Sequence, residues 1–395
     1  MTSWITRFLA VALAGIAAAH AQTAPLVVGG SVSQSGLLAD LAADYRKGLL
    51  LWQEQVNAAG GLSGRPVELR LLDDASEAVE VGKLYAKLIS DGGVAALVGP
   101  YGSAAALMAS AQAESARRVI VNGAAASRAL HKRSPHYVFQ TGIPYAGYSA
   151  GVLEIAARRG LRRIFIVTRD DYAAREMAET AREAALAMVL EPSELDIHAA
   201  GNEDFAPQVA KARAARAQAW IAFGEARDAA EMVKTFKRLG YAPELFFARA
   251  AADPRFVSYV GQDAEFTLGA LEYDARLPTP GNEAFVKAFA ARWSTRPGPA
   301  AAEGYVVGTV LGEALRRGGG DQQKLREVLS SSVIPTVLGE YRADAKTGAQ
   351  IAAKAALVQI VRGRPELVWP EAQANRAVLP YPQWKERRVL THKGR

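Results

Sequence analysis

"VAALVGPYGSAAALMASAQAES", residues 94–115, decides the fold. An apolar run, Val94–Val98, stops at Gly99-Pro100-Tyr101-Gly102, and Ser103 then opens an alanine-rich segment of helical character. A run that is apolar at every residue belongs to a strand covered on both faces, and a strand leading straight into a helix is half of a βαβ unit. The punctuation exceeds what a plain connection needs. Gly99 and Gly102 permit unusual backbone dihedrals. A serine at a helix start leaves its hydroxyl and the following N–H groups facing outward, where the partial positive charge of the helix end favours an anion. The same serine is equally suited to capping its own helix.

The alternation continues in both directions. Strands are expected at Leu26–Gly30, Val67–Leu72, Val94–Val98 and Val119–Asn122, then again at Ile164–Thr168, Leu195–His198, Trp220–Phe223 and Leu245–Ala248. Helical stretches lie between them: Leu41–Ala58, Ala78–Ser90, Ser103–Arg117, Tyr145–Arg159, Ala174–Leu190, Phe205–Ala215 and Ala226–Leu239. Right-handed crossovers place such helices on both faces of a parallel sheet. The pattern occurs twice, which predicts an α/β protein with two doubly wound lobes. The last third carries helices at Asn282–Trp293, Ala300–Arg316 and Asp321–Ser330, then β-like pieces at Val337–Tyr341, Ala356–Val361 and Leu367–Trp369. Residues 380–395 are polar and basic and read as a loose end.

In open α/β sheets ligands bind beyond the carboxyl ends of the strands, so the loops there hold the candidates. "GGSVSQSGLLADLAADY" (29–45) lacks the spacing of a dinucleotide loop; it reads either as a flexible βα turn with Ser33 or Ser35 as a helix cap or as a ligand contact. Asp73-Asp74 with Ser76 reads as a capped helix start rather than a metal site. Tyr101 and Ser103 belong to the quoted loop. "VNGAAASRALHKRSP" (121–135) leaves bare backbone at Ala124 and Ala126, beside Ser127. Two N–H-rich loops on adjacent strands can clamp a carboxylate from two sides, or simply start an alanine-rich helix. In the second half, Tyr172 follows a strand end, and Glu225, Arg227 and Arg249 occupy equivalent positions. Arg249 suits bidentate carboxylate recognition or a surface salt bridge.

Composition narrows the function. The 395 residues contain no cysteine, which excludes disulfides and thiolate metal sites. The first 22 residues carry Arg7, an apolar run Phe8–Ala18 and Ala19-His20-Ala21, the pattern of a Sec signal peptide cut after Ala21. The apolar run is too short to span a bilayer, so an exported, soluble periplasmic protein is expected, not membrane-inserted after cleavage. The net charge of +7 is spread along the chain without an aromatic-basic motif, so nucleic acid is not an expected partner. None of the five histidines lies in a spaced metal motif, and neither a nucleophile elbow nor a phosphate loop is present. No catalytic residue, metal or cofactor is expected.

Three stretches carry a family resemblance. "QEQVNAAGGLSGRPVELRLLDDAS" (53–76) joins N-A-x-G-G-x-x-G to an apolar strand and D-D; "ALVGPYGSAAA" (96–106) gives a strand, glycines and serine; "YVFQTGIPYAGYSAG" (137–151) follows the first β/α series. From about Leu26 to Trp369 the chain resembles the Leu/Ile/Val-binding protein family, the type I periplasmic binding proteins that deliver solutes to ABC importers. The resemblance implies two lobes joined by a three-strand hinge, residues 26–142 with 273–352 and 143–272 with 353–395, crossing near Gln140–Tyr145, Leu271–Arg276 and Gln350–Ala356. It implies a small carboxylate ligand held by Ser103, by the backbone at Ala124 and Ala126, and by Tyr172 from the second lobe. Where the family often has threonine this chain has Ala126, with Ser127 adjacent. Where amino-acid-binding members place a glutamate for the ammonium, it has Ala250 beside Arg249, with Glu225 on the neighbouring loop. An aromatic or other organic acid is therefore expected over a simple α-amino acid, with an ABC permease as partner and a monomer as the working form. A ligand-sensing partner of a signalling system, or an exported α/β enzyme, are the other classes the sequence admits.

Overall fold

Runs of buried apolar residues form the strands, and the alternation of their side chains between two faces builds a core on each side of each sheet. The computed structural model describes residues 24–370 and 377–387; the leader and the last residues of the basic end lie outside them. The first sheet contains β1 (Leu26–Ser31), β2 (Val67–Leu72), β3 (Val94–Val98), β4 (Ile120–Asn122) and β5 (Val138–Gln140), all parallel, in the order β2-β1-β3-β4-β5. Val28, Ala96, Val98 and Val121 pack with Tyr45, Trp52, Val306 and Val310 from the helices Ala39–Ala58 and Pro299–Gly318. Val27, Val94, Leu97 and Ile120 turn the other way, onto Val81, Tyr85 and Ala109 of the helices Ala78–Ser90 and Ser103–Ser115.

The second sheet is eight-stranded. β6 (Arg163–Arg169), β7 (Glu191–Pro192), β8 (Asp196–His198), β9 (Ala219–Phe223), β10 (Leu245–Ala248) and β11 (Leu268–Leu271) pair in parallel. A separate hairpin, β12 (Val333–Thr336) and β13 (Gly339–Arg342), follows in the chain. β14 (Ala356–Val361) and β15 (Arg364–Trp369) then close the far edge of the second sheet antiparallel, joined by the tight turn Arg362-Gly363. Ile164, Ile166 and Phe247 face one core, while Phe165, Trp220 and Phe246 face the other.

The chain passes between the two bodies after β5, after β11 and between β13 and β14. Tyr273, just beyond β11, already lies in the first core, its hydroxyl donating to Asn282 Oδ1 at 2.8 Å.

Several elements differ from the sequence reading. The segment expected as one helix from Tyr145 is a 3₁₀ turn, Tyr145–Tyr148, followed by the helix Ala150–Arg158. Gly147 sits where a Cβ would lie 3.0 Å from the Ala353 carbonyl, so packing against the third crossing shapes this turn. The expected strand Val337–Tyr341 is the bend and second arm of the β12–β13 hairpin.

One close approach positions the site. A Cβ on Gly304 would fall 2.0 Å from the Tyr45 carbonyl oxygen, and one on Gly48 would fall 2.0 Å from that of Ala301. The helices Ala39–Ala58 and Pro299–Gly318 therefore meet backbone to backbone, which fixes the rotation of Glu303 beside them.

Candidate functional site

The end of β3 is built for close packing and for an open helix terminus. Gly99 is required by space rather than by its dihedrals: a Cβ there would lie 2.0 Å from Asn122 Oδ1. Gly102 is the residue with the left-handed backbone, φ 94°, and it caps the helix Ser103–Ser115 without a side chain to do so. Ser103 does not cap its own helix; its Oγ accepts the Ser127 N–H at 3.4 Å. Burial pushes the Tyr145 phenol up, while its approach to the Ser103 hydroxyl pulls the other way. Among the described residues, no group accepts the N–H of Ser103, Ala104 or Ala105, and none accepts that of Ala124, Ala125 or Ala126. The adjacent ends of β3 and β4 thus present two sets of unengaged amides.

The carbonyls of the second loop are used structurally. Ala124 O accepts the Gly102 N–H at 2.9 Å, and Ala126 O accepts the Tyr145 N–H at 3.1 Å. The loop is thereby tied to the helix start on one side and to the first crossing on the other.

Ser127 and Tyr172 meet across the gap. Their hydroxyls lie 2.9 Å apart, Ser127 Oγ donates to Glu176 Oε2 at 2.8 Å, and Arg128 N donates to Glu176 Oε1 at 2.6 Å. Ser127 is fully buried, whereas Tyr172 is 63 % exposed at the start of the helix Tyr172–Ala187. Outside this contact Arg128 reaches Glu183 at 3.0 Å and Glu179 at 2.8 Å. Two of the sequence-derived candidates therefore bind each other, and Glu176, the carboxylate that accepts from Ser127, was not among the candidates.

Arg249 and Glu225 have separate engagements. Arg249 Nη2 donates to Glu272 Oε1 at 2.6 Å, the Tyr148 hydroxyl donates to the same oxygen at 2.7 Å, and the guanidinium lies 5.1 Å above the Tyr148 ring. These three side chains form a half-buried triad beside the crossings, and Arg249 Nε is left without a hydrogen-bond partner. Glu225 is exposed and pairs with Arg169 Nη1 at 2.9 Å, and its N–H donates to Asp228 Oδ2 at 2.8 Å.

Glu303 stands apart. Its Oε1 lies 3.9 Å from where a Cβ on Gly142, in the first crossing, would be. Burial and, next, the charge of Glu272 push its carboxyl well above the usual range. Among the described residues its carboxylate has no hydrogen-bond or ion-pair partner. Tyr101 rests edge-on against Tyr45, ring centroids 6.1 Å apart, and its phenol is raised by burial, then by Glu303 and Glu272. Tyr101, Tyr148, Glu272 and Glu303 thus share one neighbourhood. Nothing local in the sequence marks Glu272 or Glu303; long-range topology brings them together.

The first-loop candidates have structural partners. Ser31 Oγ and Ser33 Oγ donate to Asp74 at 2.7 and 2.5 Å, and Ser35 Oγ donates to Asp73 at 3.0 Å. None of Ser33, Ser35, Asp73 or Asp74 caps a helix, since the caps are Leu38 and Glu77. The aspartates fasten the β1 loop to the β2 loop.

Two lobes, a chain that crosses between them, and unengaged amides at adjacent strand ends are joined by one further observation. The sequence model of the family described as "Periplasmic binding protein" matches residues 25–365. The chain belongs to the periplasmic binding protein family. This is a family of binding proteins, not of enzymes. The Leucine-, isoleucine-, valine-, threonine-, and alanine-binding protein of Pseudomonas aeruginosa is 24 % identical over 349 residues, covering 86 % of this chain and 91 % of the relative. A putative branched-chain amino acid ABC transporter structure from Silicibacter pomeroyi superposes with a TM-score of 0.78 at 19 % identity, covering 91 % of this chain and 99 % of that one. An R. palustris solute binding protein in complex with benzoate superposes with a TM-score of 0.64 at 20 % identity, covering 91 % and 97 % of the two chains. These likenesses establish the type I periplasmic binding protein fold. No helix among the described residues is long and apolar enough to cross a membrane.

Proposed function

We propose that this protein is an exported solute-binding protein of a branched-chain amino acid-type ABC importer, which captures a small carboxylate between its lobes and delivers it to the permease. The observation that carries the reading is the pair of unengaged amide sets at Ser103–Ala105 and Ala124–Ala126. Gly102 leaves the helix end without a capping side chain, and the helix dipole favours an anion there by about 0.3–1 kcal/mol, more when partly buried. Hydrogen bonds to a charged acceptor add about 1.5–3 kcal/mol each. A few of these reach the ~8 kcal/mol of micromolar binding.

The ligand class follows from the second lobe. Ala250 and Arg249 stand where amino-acid-binding members carry a glutamate, Arg249 is held by Glu272, and Glu225 is held by Arg169. An α-ammonium buried there without a carboxylate is costly. An aromatic or other organic acid suits the site better than a simple α-amino acid. The protein of the R. palustris structure is in complex with benzoate, which shows such a ligand on this fold.

Binding acts by population shift: the ligand favours the closed form because only there do both lobes touch it. Export by the amino-terminal leader places this chemistry in the periplasm. A thermal-shift screen of amino acids against aromatic and aliphatic acids tests the class. Selective stabilisation by organic acids is expected; strong, selective stabilisation by leucine or valine refutes the organic-acid reading.

A further inference from the structure

Two chemically different groups of residues lie near the first crossing. In one, Ser103 Oγ accepts the Ser127 N–H beside the free amides and Tyr145, and Ser127 Oγ meets the Tyr172 hydroxyl. In the other, Tyr101 and Tyr148 feel the charge of Glu303, Glu303 feels that of Glu272, and Glu303 Oε1 lies 3.9 Å from where a Cβ on Gly142 would be. We propose, resting on the carboxylate-binding reading above, that Glu303 receives a second polar group of the ligand, so that the natural solute is an acid bearing an O–H or N–H donor remote from its carboxylate.

The geometry singles out Glu303. It rides on the helix Pro299–Gly318, whose rotation is fixed by the Gly304–Tyr45 approach, and its carboxylate points at the first crossing near Gly142. Its side chain is only partly buried, so the carboxylate stays within reach of solvent or of a ligand. Arg249, the cation paired with Glu272, donates through Nη2 to an oxygen that also accepts from Tyr148, and it makes no contact with Glu303. The titratable groups that face Glu303 are Tyr45 from the helix Ala39–Ala58, Tyr101 from the β3 loop, Tyr148 from the 3₁₀ turn and Glu272 from the end of β11. None of these is a cation. No protein group supplies a hydrogen-bond donor to this partly exposed carboxylate, which leaves it open to one from the ligand. A hydroxyl or amide meets Glu303 as a neutral carboxyl, which both donates and accepts; a protonated nitrogen meets it as the ionised form.

The test uses two matched series on the full mature protein: benzoate, 4-hydroxybenzoate and 4-(aminomethyl)benzoate; hexanoate, 6-hydroxyhexanoate and 6-aminohexanoate. Dissociation constants are measured by calorimetry for wild type, Glu303→Gln, Glu303→Leu and Ser103→Ala, with thermal melting to verify that each variant folds. In at least one series a donor-bearing acid binds wild type about tenfold or more tightly than its unsubstituted parent. Glu303→Leu erases that gap while leaving the parent acid's affinity in place. Glu303→Gln keeps a hydroxyl preference and loses an ammonium preference, which tells the two donor types apart. Ser103→Ala weakens substituted and parent acids by the same factor. A gap that survives Glu303→Leu, or an absent gap in wild type while the parent acids bind, overturns the role of Glu303 and leaves the carboxylate reading standing. Failure of every acid to bind wild type overturns both.

Discussion

The hydroxyls of Ser127 and Tyr172 lie 2.9 Å apart across the two lobes, and Glu176 anchors the Ser127 side of that contact. Glu176 is 5 % exposed and accepts from both Ser127 Oγ and Arg128 N, so the Ser127 side of the clasp is buried and charge-assisted. Arg128 and its partners Glu179 and Glu183 sit outside it, largely exposed.

The clasp predicts different outcomes for its two layers. Glu176→Ala leaves buried donors unpaired and weakens this contact by about 1–3 kcal/mol. Thermal melting shows a lower midpoint, and small-angle scattering of the ligand-free protein shows a larger radius of gyration. Arg128→Ala removes exposed ion pairs, worth about 0–1 kcal/mol and screened by salt. Equal effects from the two substitutions contradict the layered arrangement.

The Arg249–Glu272 pair is half-buried, with side chains 33 % and 27 % exposed. Removing either partner alone strands the other and costs about 1–3 kcal/mol. Arg249→Met with Glu272→Gln recovers much of that loss. A double-mutant cycle measured by urea unfolding reads the coupling; strict additivity contradicts a direct pair.

Glu303 makes stability depend on pH. Burial and Glu272 raise its folded-state value above the ordinary 4.5. The unfolded chain ionises first, so the contribution is fully present below the ordinary value and is lost as pH rises through the raised one. Between about pH 5 and about pH 8 the wild-type melting point falls more than that of Glu303→Gln. Parallel curves for the two proteins contradict the environment described for Glu303.

Gly142 lies where a Cβ would be 1.9 Å from the Gly123 carbonyl oxygen. Gly142→Ala forces the β4 loop and the first crossing apart, at a cost of about 1–3 kcal/mol. Because the same loop carries Ala124 and Ala126, carboxylate affinity falls along with the melting point. Unchanged values of both contradict the close approach.

The regular elements were legible where one period dominates. The helices Ala78–Ser90, Ala226–Leu239 and Asn282–Trp293 and the strand Ala356–Val361 have the bounds read from apolar spacing. The short strands β5 and β11 were not, because so short a stretch fits a strand or a buried turn alike. The Tyr145–Tyr148 turn was read as helix because the contact that shapes it comes from Ala353, two hundred residues on. The amide-lined strand ends could be found from glycine, serine and alanine after apolar runs. Glu176, Glu272 and Glu303 could not, since each looks like an ordinary helix or loop carboxylate until the lobes are assembled.

The most direct measurement is a crystal structure of the protein with a bound organic acid from the screen. The account predicts carboxylate oxygens within hydrogen-bond distance of the Ser103 hydroxyl and of amides among Ser103–Ala105 and Ala124–Ala126. A ligand bound elsewhere, with those amides facing only solvent in a closed protein, contradicts it.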